Sequence, residues 1–111
     1  MVLLMSSVVD AKEAEDDWAY SHREADILRQ LHHPNIMRVV DSWEPNEFEP
    51  GAMALSYAKG PTIQALLQHG GALSTLFVRV VTAQMVDALA YMHSHAVVHR
   101  DIKPESELSF F

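Results

Sequence analysis

The sequence predicts an α+β chain, mainly helical, with one short antiparallel strand pair. Three observations lead there. Two long segments, about 11–31 and 74–95, carry apolar residues at steps of three and four, the period of a helix with a buried face. Two short runs between them, 36–43 and 52–57, are bounded by turn residues and enclose an acidic loop with two prolines, which is the pattern of a hairpin with a long connection. Gly60-Pro61 and Gly70-Gly71 bracket a further short helix in the order helices use, proline at the start and glycine past the end.

Each element has its own reason. Residues 2–9 are apolar and β-branched, which suits a strand. Asp10-Ala11-Lys12-Glu13 reads as a capping box with Asp10 at the N-cap. Glu13, Glu15, Asp16 and Asp17 crowd the first turns, where the helix dipole favours acids and where they read as a solvated face. His33-Pro34-Asn35 ends this helix. The second long helix has Ser74 as its N-cap. It is apolar on more than one side, through Phe77, Val81, Met85, Ala88 and Met92 and again through Leu76, Val78, Val80, Val86 and Leu89, and so belongs in the middle of a larger fold. Lacking later helices, Phe77, Val81 and Met85 are expected to want cover, which favours aggregation or dependence on a partner.

Composition narrows the function classes. The 111 residues suit one small domain, and 49% of them are hydrophobic, enough for a core. The net charge of −7, from 15 acidic against 8 basic residues, argues against nucleic acid or an anionic membrane as partner. The absence of cysteine excludes disulfides and cysteine zinc sites and fits a reducing compartment. The apolar start is too short for a membrane span and lacks the basic n-region of a signal peptide. The expected location is therefore intracellular, in the cytoplasm. Seven histidines include His93, His95 and His99, but His93 and His95 diverge on a helix, so a metal site is not expected. Six methionines read as core filling.

The informative segment is Val97-Val98-His99-Arg100-Asp101-Ile102-Lys103-Pro104-Glu105. It resembles the His-Arg-Asp catalytic loop of protein kinases, and Asp-x-Lys-Pro-Glu is the form typical of serine/threonine kinases. Upstream, Tyr91-Met92-His93-Ser94-His95 resembles the end of the buried helix that precedes that loop. Residues 23–36 resemble the family's regulatory helix and the turn after it, and Leu55-Ser56-Tyr57-Ala58-Lys59-Gly60 the fifth strand and adenine hinge. The resemblance covers residues from about 8 to 107, less than half of a kinase domain. It implies a partial protein-kinase-like fold, with about 8–60 a remnant of the N-lobe and about 61–107 the start of the helical C-lobe.

The resemblance also implies roles. Asp101 would accept or orient the proton of a substrate hydroxyl, Lys103 would neutralise charge on the transferring phosphate, and Arg100 would meet a phosphate on the activation loop. Leu55, Ser56 and Ala58 would line the adenine site, with backbone groups of Ser56 and Ala58 as its partners. ATP and magnesium are the implied cofactors, and a protein substrate or kinase partner the implied partner. Glu24 rests partly on spacing. Tyr20, Glu24, Ile27, Leu28 and Leu31 fall on one helical face, and a carboxylate in an apolar stripe calls for a cation. Spacing alone fits equally a solvated glutamate beside Arg23; the resemblance gives Glu24 the ion-pair role.

Four parts of the pattern are missing within these residues. The stretch where the family carries the lysine partner of Glu24 reads Met5, Ser6, Ser7, and Lys12 lies on Glu24's own helix. No glycine precedes Gly51, so there is no glycine-rich phosphate loop. Ser106 stands where the metal-binding asparagine belongs, five residues after the aspartate. No Asp-Phe-Gly occurs. Losses near both ends of a well-matched middle predict a truncated kinase, inactive by itself, whose ATP and magnesium binding these absences count against. The alternative is a non-catalytic module that binds kinase partners through its regulatory helix or exposed core.

Overall fold

The computed structural model describes residues 2–4, 25–44, 46–48, 51–57, 59–105 and 107–109. The chain divides into two compact units, each assembled from separated stretches: the described residues within 1–6, 33–37 and 57–111, and those within 7–32 and 38–56.

The first unit contains β1 (Val2–Leu4), α2 (Ile63–Gly70), α3 (Thr75–Ser94) and β4 (Glu107–Ser109). Ser74 caps α3 as expected, its hydroxyl accepting the Phe77 N–H at 3.2 Å. The helix then runs 20 residues without an internal glycine or proline, so nothing breaks its ladder. The cap of α2 is Thr62, not Gly60-Pro61: the Thr62 hydroxyl accepts from the Ala65 N–H at 3.1 Å, a bond neither earlier residue has a side chain to make. Gly71 closes α2 with φ at +72°, in the left-handed region open to glycine, and its N–H returns to the Leu67 carbonyl at 3.0 Å.

The core of this unit is Ile63 of α2 against Val81 of α3, with Leu66, Leu73, Phe77 and Met85 packed round them. Burying an aliphatic side chain of this size contributes about 1.5–3 kcal/mol. This corrects the expectation that Phe77, Val81 and Met85 lie bare, since the short helix and Leu73 cover them. The side chains that remain exposed are Leu76, Val78, Val80 and Val86, on the other sides of α3.

Residues 33–37 belong to the same unit. The Asn35 side-chain N–H donates to Gln84 Oε1 at 3.1 Å, and His33 Nε2 lies 3.0 Å from Asp87 Oδ2. The Asn35 backbone N–H donates to His33 Nδ1, so Nδ1 is an acceptor and the proton sits on Nε2, facing the carboxylate. The His33 ring packs 5.2 Å from Tyr91. A segment expected only to stop a helix is thus fastened to α3. β1 pairs antiparallel with β4, Val2 to Ser109, Leu3 to Leu108 and Leu4 to Glu107. β4 had no sequence expectation, and residues 5–9 of the expected first strand lie outside the described residues.

The second unit holds α1, described over residues 25–29, with β2 (Val39–Trp43) and β3 (Ala52–Leu55). The helix ends at 29, earlier than the 31 expected, in a tighter turn where Gln30 and Leu31 donate to the carbonyls three residues back. Its buried residues are Ala25 and Leu28, with Leu31 just beyond; Ile27 is 44% exposed and so lies off the apolar face that spacing assigned it to. Arg29 pairs with Asp26 at 3.6 Å and donates to the Ser42 hydroxyl, which ties α1 to β2. The expected hairpin forms with shorter strands. Its register runs Val39 to Leu55, Asp41 to Ala54, Ser42 to Met53 and Trp43 to Ala52, with an irregularity between Val39 and Asp41 that leaves Val40 as the extra residue of a bulge.

Candidate active site

The loop after α3 begins with the helix's own termination. His95 is the C-cap. Ala96 follows with φ at 58°, its N–H donating to the His93 carbonyl at 3.1 Å, while the Val97 N–H donates to the Met92 carbonyl at 2.9 Å. This is a Schellman closure with alanine where glycine is usual. It ends α3 and opens the loop of residues 97–105.

A hydrogen bond and a left-handed residue then shape the loop. The Asp101 N–H donates to His99 Nδ1 at 3.1 Å. That bond fixes the neutral tautomer with hydrogen on Nε2, and His99 Nε2 is buried with no partner among the described residues. Between these two residues Arg100 has φ at 72°, a left-handed backbone that costs a non-glycine residue roughly 1–2 kcal/mol and recurs where structure fixes reactive groups. The Arg100 side chain and the Asp101 carboxylate beside it are both exposed.

Lys103 Nζ donates to Asp101 Oδ2 at 2.9 Å, with the side chains 48% and 54% exposed. The hydrogen bond to Asp101, then its charge, holds the Lys103 ammonium above its ordinary range. Carboxylate and ammonium are therefore paired at the surface, an acceptor and a cation side by side. The loop ends where the Pro104 carbonyl accepts the Gln64 N–H at 3.1 Å. That N–H belongs to the first turn of α2, one of the donors a helix leaves without an internal partner.

Of the residues singled out in the sequence, Arg100, Asp101 and Lys103 thus come together on one loop of the first unit. Leu55 and Ser56 lie in the second unit, at the end of β3, where Leu55 is half-buried. Ser56 corrects one expectation. Its N–H donates to the Arg38 carbonyl at 2.8 Å and its hydroxyl accepts the Arg38 N–H at 3.0 Å. The N–H is thus engaged within the hairpin and is not the free donor that the resemblance implied. Glu24, Ala58 and Ser106 lie outside the described residues.

Sequence reasoning missed the His99 bond, the two left-handed residues and the tie to Gln64. The first had a visible signal, a histidine two residues before an aspartate in a short loop. The others depend on backbone groups that every residue carries.

A family profile described as the protein kinase domain matches residues 5–108. The chain is 35% identical over 107 residues to serine/threonine-protein kinase 36 of Pongo abelii, covering 96% of this chain and 8% of that one. It is 40% identical over 86 residues to the serine/threonine-protein kinase PkaA of Streptomyces coelicolor, covering 78% and 16%. The structure resembles that of Rad53 1–466 in complex with AMP-PNP, with a TM-score of 0.71 and 29% identity over 80% of this chain and 23% of that one. The chain therefore spans a small part of each relative, yet the match runs through nearly all of its own length, and with its helices, hairpin and His-Arg-Asp loop it belongs to the protein kinase family.

Proposed function

We propose that this chain is the part of an ATP-dependent serine/threonine protein kinase that meets the protein substrate, and that alone it transfers no phosphate. The observation that carries the reading is the Asp101–Lys103 pair, 2.9 Å apart on a surface loop that three backbone devices hold. A serine or threonine hydroxyl approaching this loop meets a carboxylate oxygen able to accept its proton and fix its direction. Lys103 lies close enough to balance negative charge on an incoming phosphoryl group, which it meets as a point charge. Arg100, exposed beside them, is a site for a phosphate carried by another segment.

ATP and magnesium fit these residues unequally. The Ser56 carbonyl suits an adenine amino group, and the Rad53 structure in complex with AMP-PNP supports a nucleotide as the family ligand. Magnesium does not fit. Among the described residues no three histidine, aspartate or glutamate side chains gather as a metal site. Asp101 already holds an ammonium, and Ser106 replaces the amide ligand. Each missing charge-stabilising part of a kinase is worth on the order of a thousandfold, so several missing together leave no measurable turnover.

The test has two arms. Purified chain incubated with labelled ATP, magnesium and a generic serine/threonine substrate should incorporate no more label than its Asp101→Asn variant. Residues 97–105 transplanted into a complete serine/threonine kinase should retain activity, and Asp101→Asn in that chimera should abolish it. Transfer by the chain that Asp101→Asn removes would overturn the claim of inactivity. A dead chimera that still folds would overturn the catalytic role of the loop.

A further inference from the structure

We infer that Thr62 is a positioning residue for the Asp101–Lys103 pair, and that its capping of α2 holds the Gln64 N–H against the Pro104 carbonyl. The pair lies on a stretch of loop between two pinned backbone atoms. On one side the Asp101 N–H donates to His99 Nδ1 at 3.1 Å. On the other the Pro104 carbonyl accepts the Gln64 N–H at 3.1 Å. Both side chains of the pair are half exposed, and an exposed ion pair by itself gains little and holds no single geometry. The pinned backbone supplies that geometry.

The route from Thr62 to Lys103 is short and stiff. A proline ring locks φ, and the residue before a proline, here Lys103, is confined to extended backbone. A fixed Pro104 carbonyl therefore leaves Lys103 little freedom. α2 fixes that carbonyl from its first turn. Ile63 is 6% exposed and packs against Val81 of α3, so the residue next to Gln64 is set in the core. Thr62 closes the turn on its other side. Its hydroxyl accepts the Ala65 N–H at 3.1 Å, and its carbonyl accepts the Leu66 N–H at 3.1 Å. Of the first-turn donors that a helix leaves without an internal partner, Ala65 thus goes to the cap and Gln64 to the loop. Pro104 serves as a second cap of α2, aligned by the first.

The pair itself reports on this route. The hydrogen bond to Asp101 is the largest cause holding the Lys103 ammonium above its ordinary range, with the charge of Asp101 next and that of Glu105 the smallest. A slackened loop loses the directional bond, so the Lys103 midpoint falls. The bearing of the pair on phosphate transfer rests on the kinase reading; its dependence on Thr62 does not.

NMR on the whole chain tests the link. In the unaltered chain a scalar coupling across the Gln64 N–H to Pro104 carbonyl bond should be present. Thr62→Ala should speed hydrogen exchange at the Gln64 amide and lower the Lys103 midpoint, the direction in which Asp101→Asn moves it. Thr62→Ser keeps a capping hydroxyl and should restore both. Gln64→Pro removes the donor and keeps the cap, because the first turn of a helix tolerates proline, and it should lower the Lys103 midpoint as well. Val81→Ala weakens the core against Ile63 and is the control: it should lower the melting temperature and leave the Lys103 midpoint in place. Absence of the coupling would overturn the inference even if every variant failed to fold. So would an unmoved Lys103 midpoint in Thr62→Ala or Gln64→Pro, a failure of Thr62→Ser to restore it, or an equal fall in Val81→Ala. None of these readouts depends on phosphate transfer, so failure here and failure of the kinase reading are separable.

Discussion

Lys103 reaches back over one residue to Asp101, and the bond of 2.9 Å makes the acceptor and the cation of the loop a single electrostatic unit. Because the contact raises the Lys103 pKa above the ordinary 10.5, its contribution is complete below that value. It fades as pH rises through the higher value of the folded chain. The expected outcome is that Asp101→Asn brings the Lys103 midpoint down. Following the Lys103 Cε–Hε signals by NMR between neutral and strongly alkaline pH measures it. An unchanged Lys103 midpoint in the variant would remove the contact from solution.

Ile63 and Leu76 should respond in opposite ways to the same truncation. Ile63→Ala empties the α2–α3 contact and should cost about 2–5 kcal/mol, visible as a lower urea midpoint. Leu76→Ala removes an exposed side chain and should leave stability within about 0.5 kcal/mol at concentrations where the chain is monomeric. Equal costs at the two sites would mean that α3 buries a different face.

Asn35 and Gln84 form a pair that a double-mutant cycle can isolate. Their bond joins the 33–37 segment to α3, and Asn35 is only 7% exposed. Asn35→Ala should cost about 1–3 kcal/mol, because buried groups around it lose their partner. Combined with Gln84→Ala, the coupling should be about 0.5–1.5 kcal/mol. Additive costs would show that the two side chains act independently.

Gly71 and Ala96 both have a positive φ after a helix, 72° and 58°. A methyl group at Gly71 would meet open space, so Gly71→Ala should destabilise through backbone strain alone, by about 1 kcal/mol. Ala96→Gly should do the reverse, gaining up to about 1 kcal/mol by relieving the same strain. Thermal melts of the two variants should shift in opposite directions.

Much of the fold was legible where a side chain announces it. Ser74 marked the start of α3, Gly71 the end of α2, and the turn residues between 44 and 51 the hairpin. What sequence missed has physical causes. Thr62 displaced Gly60-Pro61 as a cap because a hydroxyl three residues from a free N–H outweighs a local turn preference. Ile27 and Ile63 look alike on a helical wheel, yet only Ile63 is buried, since burial depends on where a second element lies. Phe77, Val81 and Met85 were expected bare for the same reason, the reach of an eight-residue helix being invisible in composition. Within the candidate site, Asp101 and Lys103 were legible as a motif. The engagement of the Ser56 N–H with Arg38 was not, because main-chain pairing leaves no mark on residue identity.

The bond from Gln64 to Pro104 carries that last point further. It runs from main chain to main chain, so almost any residue at 64 supplies the donor and any residue at 104 the acceptor. The anchorage of the loop is therefore insulated from drift at both positions, and proline at 64, which lacks the N–H, is the one replacement that removes the donor. The side chains at 101 and 103 can therefore change while the loop keeps its anchorage. A chain built this way separates the shape of the loop from the chemistry the loop displays.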